Sequence, residues 1–198
     1  MKLSTEFYQR EDVVLIAEEL LGKYLYTRIN GELAAGIIVE TEAYRGPEDL
    51  GSHAYNHRRT PRNEIMYAAG GVVYMYICYG IHDMLNIVTG HEGSSHAVLI
   101  RALEPVEGIE LMRERRKILT DDRKLCKGPG ALAKAMGLNK SHNAISLQGD
   151  TVWIEDKGFN PDPDKMVATS RIGLNISEPY KSIPWRFYIA NNSFISRK

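Results

Sequence analysis

Two carboxylates, Glu40 and Glu42, stand two positions apart in the run Ile37-Ile38-Val39-Glu40-Thr41-Glu42-Ala43-Tyr44. The run is apolar and β-branched enough to read as a strand, and strand alternation puts Ile38, Glu40, Glu42 and Tyr44 on one face. A carboxylate on an apolar strand is costly to bury unless it is paired or takes part in a reaction. One reading leaves both groups on a solvated face. The other gives them chemistry: residues at i and i+2 are about 6–7 Å apart along a strand, a separation compatible with the acid and base of a sugar glycosidase.

Two further chemistries compete for the neighbouring residues. His53 and His57, with Glu48 or Asp49, could hold a metal, but a loop pair of histidines beside Gly51 is a weak metal signal. The third reading is an enzyme that acts on a nucleobase extruded from duplex DNA. It needs an aromatic pocket, a wedge to fill the vacated stack, cations for phosphates and a base to activate water. Tyr44 and Tyr76 could stack on the base, Tyr79 could wedge, Arg58, Arg59 and Arg62 could grip phosphate, and Glu42 could be the base. Residue types alone leave the three open.

The elements that must position these groups follow from periodicity and turn chemistry. Residues 12–21 carry apolar positions at helical spacing, with Gly22 as a C-terminal stop. Residues 23–29 alternate as a strand, Asn30-Gly31 is a hairpin turn, and the chain returns from Glu32 as the strand bearing the carboxylates. Residues 45–69 hold Gly46, Pro47 and Gly51 with a local cluster of cations, and a structureless stretch of about 25 residues inside a compact domain is usually functional. Residues 72–79 form a strand with three tyrosines, 79–82 the tip of a second hairpin, and 83–88 its return. Residues 96–103 form another strand, which carries Arg101. Pro105 is expected to open a helix to about residue 119, whose basic half, Arg113, Arg115, Arg116 and Lys117, suits either the negative helix end or phosphate. Lys127-Gly128-Pro129-Gly130 leads into a helix over 131–136 without a nucleotide-loop pattern. Strands are expected at 151–155, 166–172 and 184–190. Short hairpin-paired strands with interspersed helices argue α+β: a single domain over 1–198, with a curved, mainly antiparallel sheet, surrounding helices and a protruding β-hairpin.

Composition narrows the setting. The 198 residues carry 25 Lys and Arg against 25 Asp and Glu, so a polyanionic partner has to be held by local patches. The two cysteines, Cys78 and Cys126, match no metal-ligand spacing, and a reducing compartment is expected. No apolar run approaches the length of a membrane span, residues 1–10 do not read as a signal peptide, and a cytoplasmic monomer is expected.

The ordered motifs are also recognisable together. Glu40-Thr41-Glu42-Ala43-Tyr44, then Gly46-Pro47-Glu48-Asp49, His53 and Thr60-Pro61-Arg62-Asn63, resembles the alkyladenine (3-methyladenine) DNA glycosylase family of the human enzyme's type. The likeness continues through Tyr74-Met75-Tyr76-Ile77-Cys78-Tyr79-Gly80, Asn86-Ile87, Leu99-Ile100-Arg101-Ala102-Leu103-Glu104-Pro105, Lys127-Gly128-Pro129 and Arg186-Phe187-Tyr188. The resemblance implies a monofunctional base-excision enzyme that acts on double-stranded DNA containing damaged purines and uses no metal or other cofactor. It implies Glu42 as the general base and Arg101 as a holder of the attacking water. Tyr44, His53, Tyr76, Asn86 and Leu99 would form the base pocket, with Asn86 disfavouring guanine, and Tyr79 would intercalate. Arg58, Arg59, Arg62 and Lys127 are candidates for the DNA backbone, while Glu40 is expected to be structural. A non-catalytic binder of distorted DNA and a carbohydrate glycosidase using Glu40 and Glu42 are the rival readings.

Overall fold

The computed structural model describes residues 1–197. Its frame is an eight-stranded antiparallel sheet ordered β3-β4-β5-β2-β1-β6, with β8 bridging β2 and β7. The strands are β1 (Tyr24–Ile29), β2 (Glu32–Arg45), β3 (Val73–Cys78), β4 (His82–Thr89), β5 (His96–Glu107), β6 (Val152–Glu155), β7 (Met166–Thr169) and β8 (Arg186–Ile189). Four α-helices accompany them: α1 (Thr5–Tyr8), α2 (Val13–Glu19), α3 (Ile109–Arg116) and α4 (Pro129–Ala135). This is the expected α+β architecture. Among the described residues, no helix is long and apolar enough to cross a membrane.

The organising strand is β2. Its first half lies between β1 and β5, and its second half lies between β5 and β8. Glu40 pairs with Ala102 on one side and Tyr188 on the other, and Glu42 pairs with Leu99 and Arg186. A strand paired on both edges and covered on both faces should be apolar throughout, so two carboxylates here must be satisfied internally. Helix α2 covers one face, where the Thr41 hydroxyl donates to the Ala17 carbonyl at 2.7 Å. Asp12 caps that helix by accepting from the N–H groups of Val14 and Leu15.

Four expectations need correction. Strict alternation from Ile38 fails, because the β2–β5 register shifts between Ile38 and Glu40 and again between Glu40 and Thr41. Such a bulge re-aims the side chains beyond it. Pro105 does not open a helix: it belongs to β5, opposite Gly36, where the register shifts once more. Proline lacks a ladder donor and is tolerated at such an irregularity. The helix begins only at Ile109, after Gly108, whose φ of 70° lies in the left-handed region and whose added Cβ would meet the Leu33 carbonyl at 2.4 Å. The third correction concerns 45–69, which is compact rather than structureless: it contains short 3-10 turns at Tyr55–His57 and Glu64–Tyr67. Strand β7 also stops at Thr169, short of the expected residue 172.

Candidate active site

The two carboxylates have different fates. Both are completely buried, and they share the Arg101 guanidinium, whose Nε lies 2.9 Å from Glu40 Oε1 and whose Nη1 lies 3.1 Å from Glu42 Oε1. Glu40 is enclosed further. Arg186 Nε donates to it at 2.8 Å, and the Ser196 backbone N–H and hydroxyl donate at 2.5 and 2.8 Å. Burial opposes its charge, yet Arg101, Ser196 and Arg186 outweigh burial and hold its carboxyl below the usual range. That much internal hydrogen bonding makes Glu40 a structural hub, closed to any substrate, and removes the acid–base pair that a sugar glycosidase would need.

Glu42 has fewer partners. Its Oε1 accepts from the Ile172 N–H at 2.7 Å, and its Oε2 accepts from the Tyr44 hydroxyl at 2.8 Å. Here burial wins over Arg101 and these hydrogen bonds, and pushes the carboxyl up. Adjacent carboxylates with opposed shifts are the usual mark of divided roles. A carboxylate with a raised pKa, held by an aromatic hydroxyl and a guanidinium, is equipped to take a proton from water.

In front of Glu42 lies a cavity of about 580 Å³, lined by Tyr44, His53, Tyr76, Asn86, Leu99 and Arg101. Tyr79, Arg62, Ile172, Gly173 and Leu174 also line it. Glu42 does not line it directly: it is reached through Tyr44, Arg101 and Ile172. The pocket therefore gathers every residue expected there from the sequence, drawn from β2, β3, β4, β5 and the 45–69 loop.

The aromatic wall is braced from behind. The His53 and Tyr76 rings meet edge to face at 4.6 Å. His53 Nδ1 lies 2.8 Å from the hydroxyl of the buried Tyr74. Burial, with help from the Arg62 and Arg58 charges, lowers His53 to about 4, so the imidazole is neutral at physiological pH. Asn86 is anchored by its amide, which donates to the Tyr74 and Met84 carbonyls at 3.2 and 3.3 Å. This turns the residue into a fixed part of the wall rather than a mobile polar group.

Above the cavity, the β3–β4 hairpin projects. Tyr79 and Ile81 are 86% and 74% exposed, and Tyr79 and Gly80 both take left-handed φ values, 50° and 74°. The Ile81 N–H closes the turn on the Cys78 carbonyl at 3.1 Å. The hairpin tip is thus an exposed apolar and aromatic surface, and its Tyr79 and Gly80 also line the cavity.

The expected phosphate-gripping cations are unequal. Arg62 is exposed, lies over the Tyr76 ring at 5.2 Å and reaches the Ile77 carbonyl at only 3.4 Å. Arg59, by contrast, is committed to Glu64, with its Nε and Nη2 on the carboxylate at 2.9 and 2.5 Å. Arg58 and Lys127 are exposed and do not line the cavity. The basic half of α3 is largely occupied within the fold: Arg113 pairs with Asp122 and Glu110, Arg115 reaches the Ala135 carbonyl, and Arg116 reaches the Leu125 carbonyl.

Sequence reasoning missed two groups. Tyr74 was legible as a strand aromatic, but its hydrogen bond to His53 was not. The other is Arg171, whose buried side chain grips the equally buried Asp49 at 2.5 and 2.7 Å. That pair takes Asp49 out of the metal reading, because both of its oxygens face Arg171. Among the described residues, no group of three or more His, Cys, Asp and Glu side chains is placed to hold a metal ion.

The profile of the family described as "Methylpurine-DNA glycosylase" matches residues 6–193. A protein of Clostridium acetobutylicum, named "Putative 3-methyladenine DNA glycosylase", is 45% identical over 203 residues, covering 99% of this chain and 98% of its own. A protein of the same name from Chlamydia abortus is 43% identical over 94% of this chain and 97% of its own. Another, from Natranaerobius thermophilus, is 41% identical over 99% of each chain.

Proposed function

This chain belongs to the methylpurine-DNA glycosylase family, and on that premise we propose that it excises alkylated or deaminated purines from duplex DNA by hydrolysing the N-glycosidic bond. The altered nucleotide leaves the stack and its base enters the cavity between Tyr44, His53 and Tyr76, while Tyr79 fills the space left behind. Flipping costs a few kcal/mol, least where damage has already weakened pairing. The electron-rich walls favour a cationic N-alkylated purine through cation–π attraction.

Glu42 then takes a proton from a water held beside Arg101. The water oxygen forms a bond to the sugar C1′ as the C1′–N bond breaks, and the departing base keeps the bonding electron pair. The oxocarbenium-like transition state is positively charged, so the Glu42 carboxylate also stabilises it. A cationic purine leaves as a neutral molecule, whereas a neutral purine must gain a proton as it leaves. Water is the nucleophile, so the enzyme is monofunctional and leaves an intact strand with an abasic site. The whole chain acts as one glycosylase domain, as a monomer in the cytoplasm, where the free thiols of Cys78 and Cys126 fit a reducing medium.

The observation that carries this reading is the hydrogen bond from Tyr44 to Glu42, which ties a raised-pKa carboxylate to the wall of an aromatic cavity. The test is incubation with duplexes that each contain one altered purine, followed by alkali. Strand breaks at the lesion only after alkali, together with released free base, are expected. Binding to these duplexes without base release across the panel would leave a non-catalytic binder of distorted DNA instead.

A further inference from the structure

Arg171 enters the site from 122 residues away in sequence, and its surroundings exceed what a buried ion pair needs. Its guanidinium donates to both Asp49 oxygens and to the Ala43 carbonyl at 3.0 Å. It lies over the Tyr44 ring at 4.7 Å and the Trp185 ring at 5.3 Å. Asp49 is fixed in turn, accepting from the Gly51 and Arg45 N–H groups at 2.8 and 3.2 Å. The consequence lies one residue away on either side. Tyr44, under the guanidinium, bonds one oxygen of Glu42, and Ile172, next in the chain, bonds the other.

We propose that Asp49 and Arg171 are positioning residues for the Glu42 carboxylate. They clamp the Tyr44 ring and the 171–174 backbone, so that Glu42 Oε1 is held between the Ile172 N–H and Arg101 while Oε2 is fixed by the Tyr44 hydroxyl. The proposal rests on Glu42 being the general base. A carboxylate acting in a transition state must be held to within about 0.5 Å, and a guanidinium fork stacked on an aromatic face supplies such rigidity where a lysine cannot.

The groups that face Glu42 define what a disturbance should do. They are Arg101 from β5, Tyr44 and the Arg101-sharing Glu40 on β2, Tyr76 from β3, and Arg171 with the Ile172 N–H. Removing the Arg171 cation takes away a nearby positive charge, so the acidic limb of the excision rate should move to higher pH.

Single-turnover excision with saturating enzyme, recorded from pH 5 to 9 on a lesion duplex, tests this in Arg171→Lys, Arg171→Gln and Asp49→Glu. Excision by the native protein is the control, and its absence would count against the glycosylase reading rather than against this one. Arg171→Lys is expected to lose about ten- to a hundredfold in rate while its affinity for the lesion duplex stays within threefold. Arg171→Gln should also move the acidic limb up by about half a pH unit or more. Should either Arg171 variant fail to fold, Asp49→Glu, which keeps the charge pair at altered length, carries the same rate-against-affinity readout. A folded variant with native rate and native limb overturns the proposal, as does a rate loss that only follows lost affinity.

Discussion

Glu40 and Glu42 share one guanidinium, that of Arg101, at 2.9 and 3.1 Å, and yet their carboxyl groups shift in opposite directions. What separates them is the remaining shell. Glu40 adds Arg186 and two Ser196 donors, whereas Glu42 adds one backbone N–H and one phenol. The first is an internal strut of the sheet. The second retains the basicity that proton abstraction needs.

Glu40→Gln should therefore act on stability. Neutralising one member of a buried charge cluster leaves Arg101 and Arg186 without their shared anion, a loss of about 3–5 kcal/mol. Urea unfolding read by tryptophan fluorescence measures it. A loss below 1 kcal/mol would show that the cluster is not a strut.

His53 gives a pH prediction with a definite sign. Its folded-state pKa, about 4, lies below its ordinary 6.5, so the unfolded chain binds a proton first as pH falls. Stability from this group is full above pH 6.5 and declines as pH drops toward 4. Imidazole NMR shifts should show His53 neutral at pH 6, and a midpoint near 6.5 would contradict the buried, arginine-flanked ring.

Arg59 and Arg62 should differ on DNA. Arg59 is already paired with Glu64, while Arg62 has no carboxylate partner among the described residues. Arg62→Ala is expected to reduce the slope of log affinity against log salt by about 0.9, the share of one phosphate contact, and Arg59→Ala by clearly less. Equal changes in a fluorescence-anisotropy titration would remove the distinction.

Tyr79→Ser should weaken binding to lesion duplexes by about tenfold or more, since aromatic stacking on a base is worth about 1–3 kcal/mol. Folding should not suffer, because the side chain is 86% exposed. Unchanged affinity would take the wedge role from Tyr79.

Local pattern explains what the sequence could disclose. Glu40 and Glu42 both reach Arg101, and Tyr44 reaches Glu42, as two-residue spacing on a strand suggests, although the register on β5 shifts on both sides of Glu40; Asn30-Gly31 and Gly80 mark hairpins through residues that tolerate positive φ. Pro105 misled because helix-start chemistry and a register shift in a strand look alike along the chain. The Asp49–Arg171 pair had no local mark. Arg171 sat in what read as a strand, and Asp49 sat among histidines that suggested metal. Contacts between segments so distant in sequence are set by the packed sheet and leave no periodic trace.

The most direct test of Glu42 as the general base is the single-turnover excision rate of Glu42→Gln on a duplex with one alkylated purine, measured beside its affinity for that duplex. General-base help is worth about 10² to 10⁴ in rate, so the rate should fall by at least about a hundredfold while the affinity stays near native. A Glu42→Gln protein that excises within a few-fold of the native rate would contradict it.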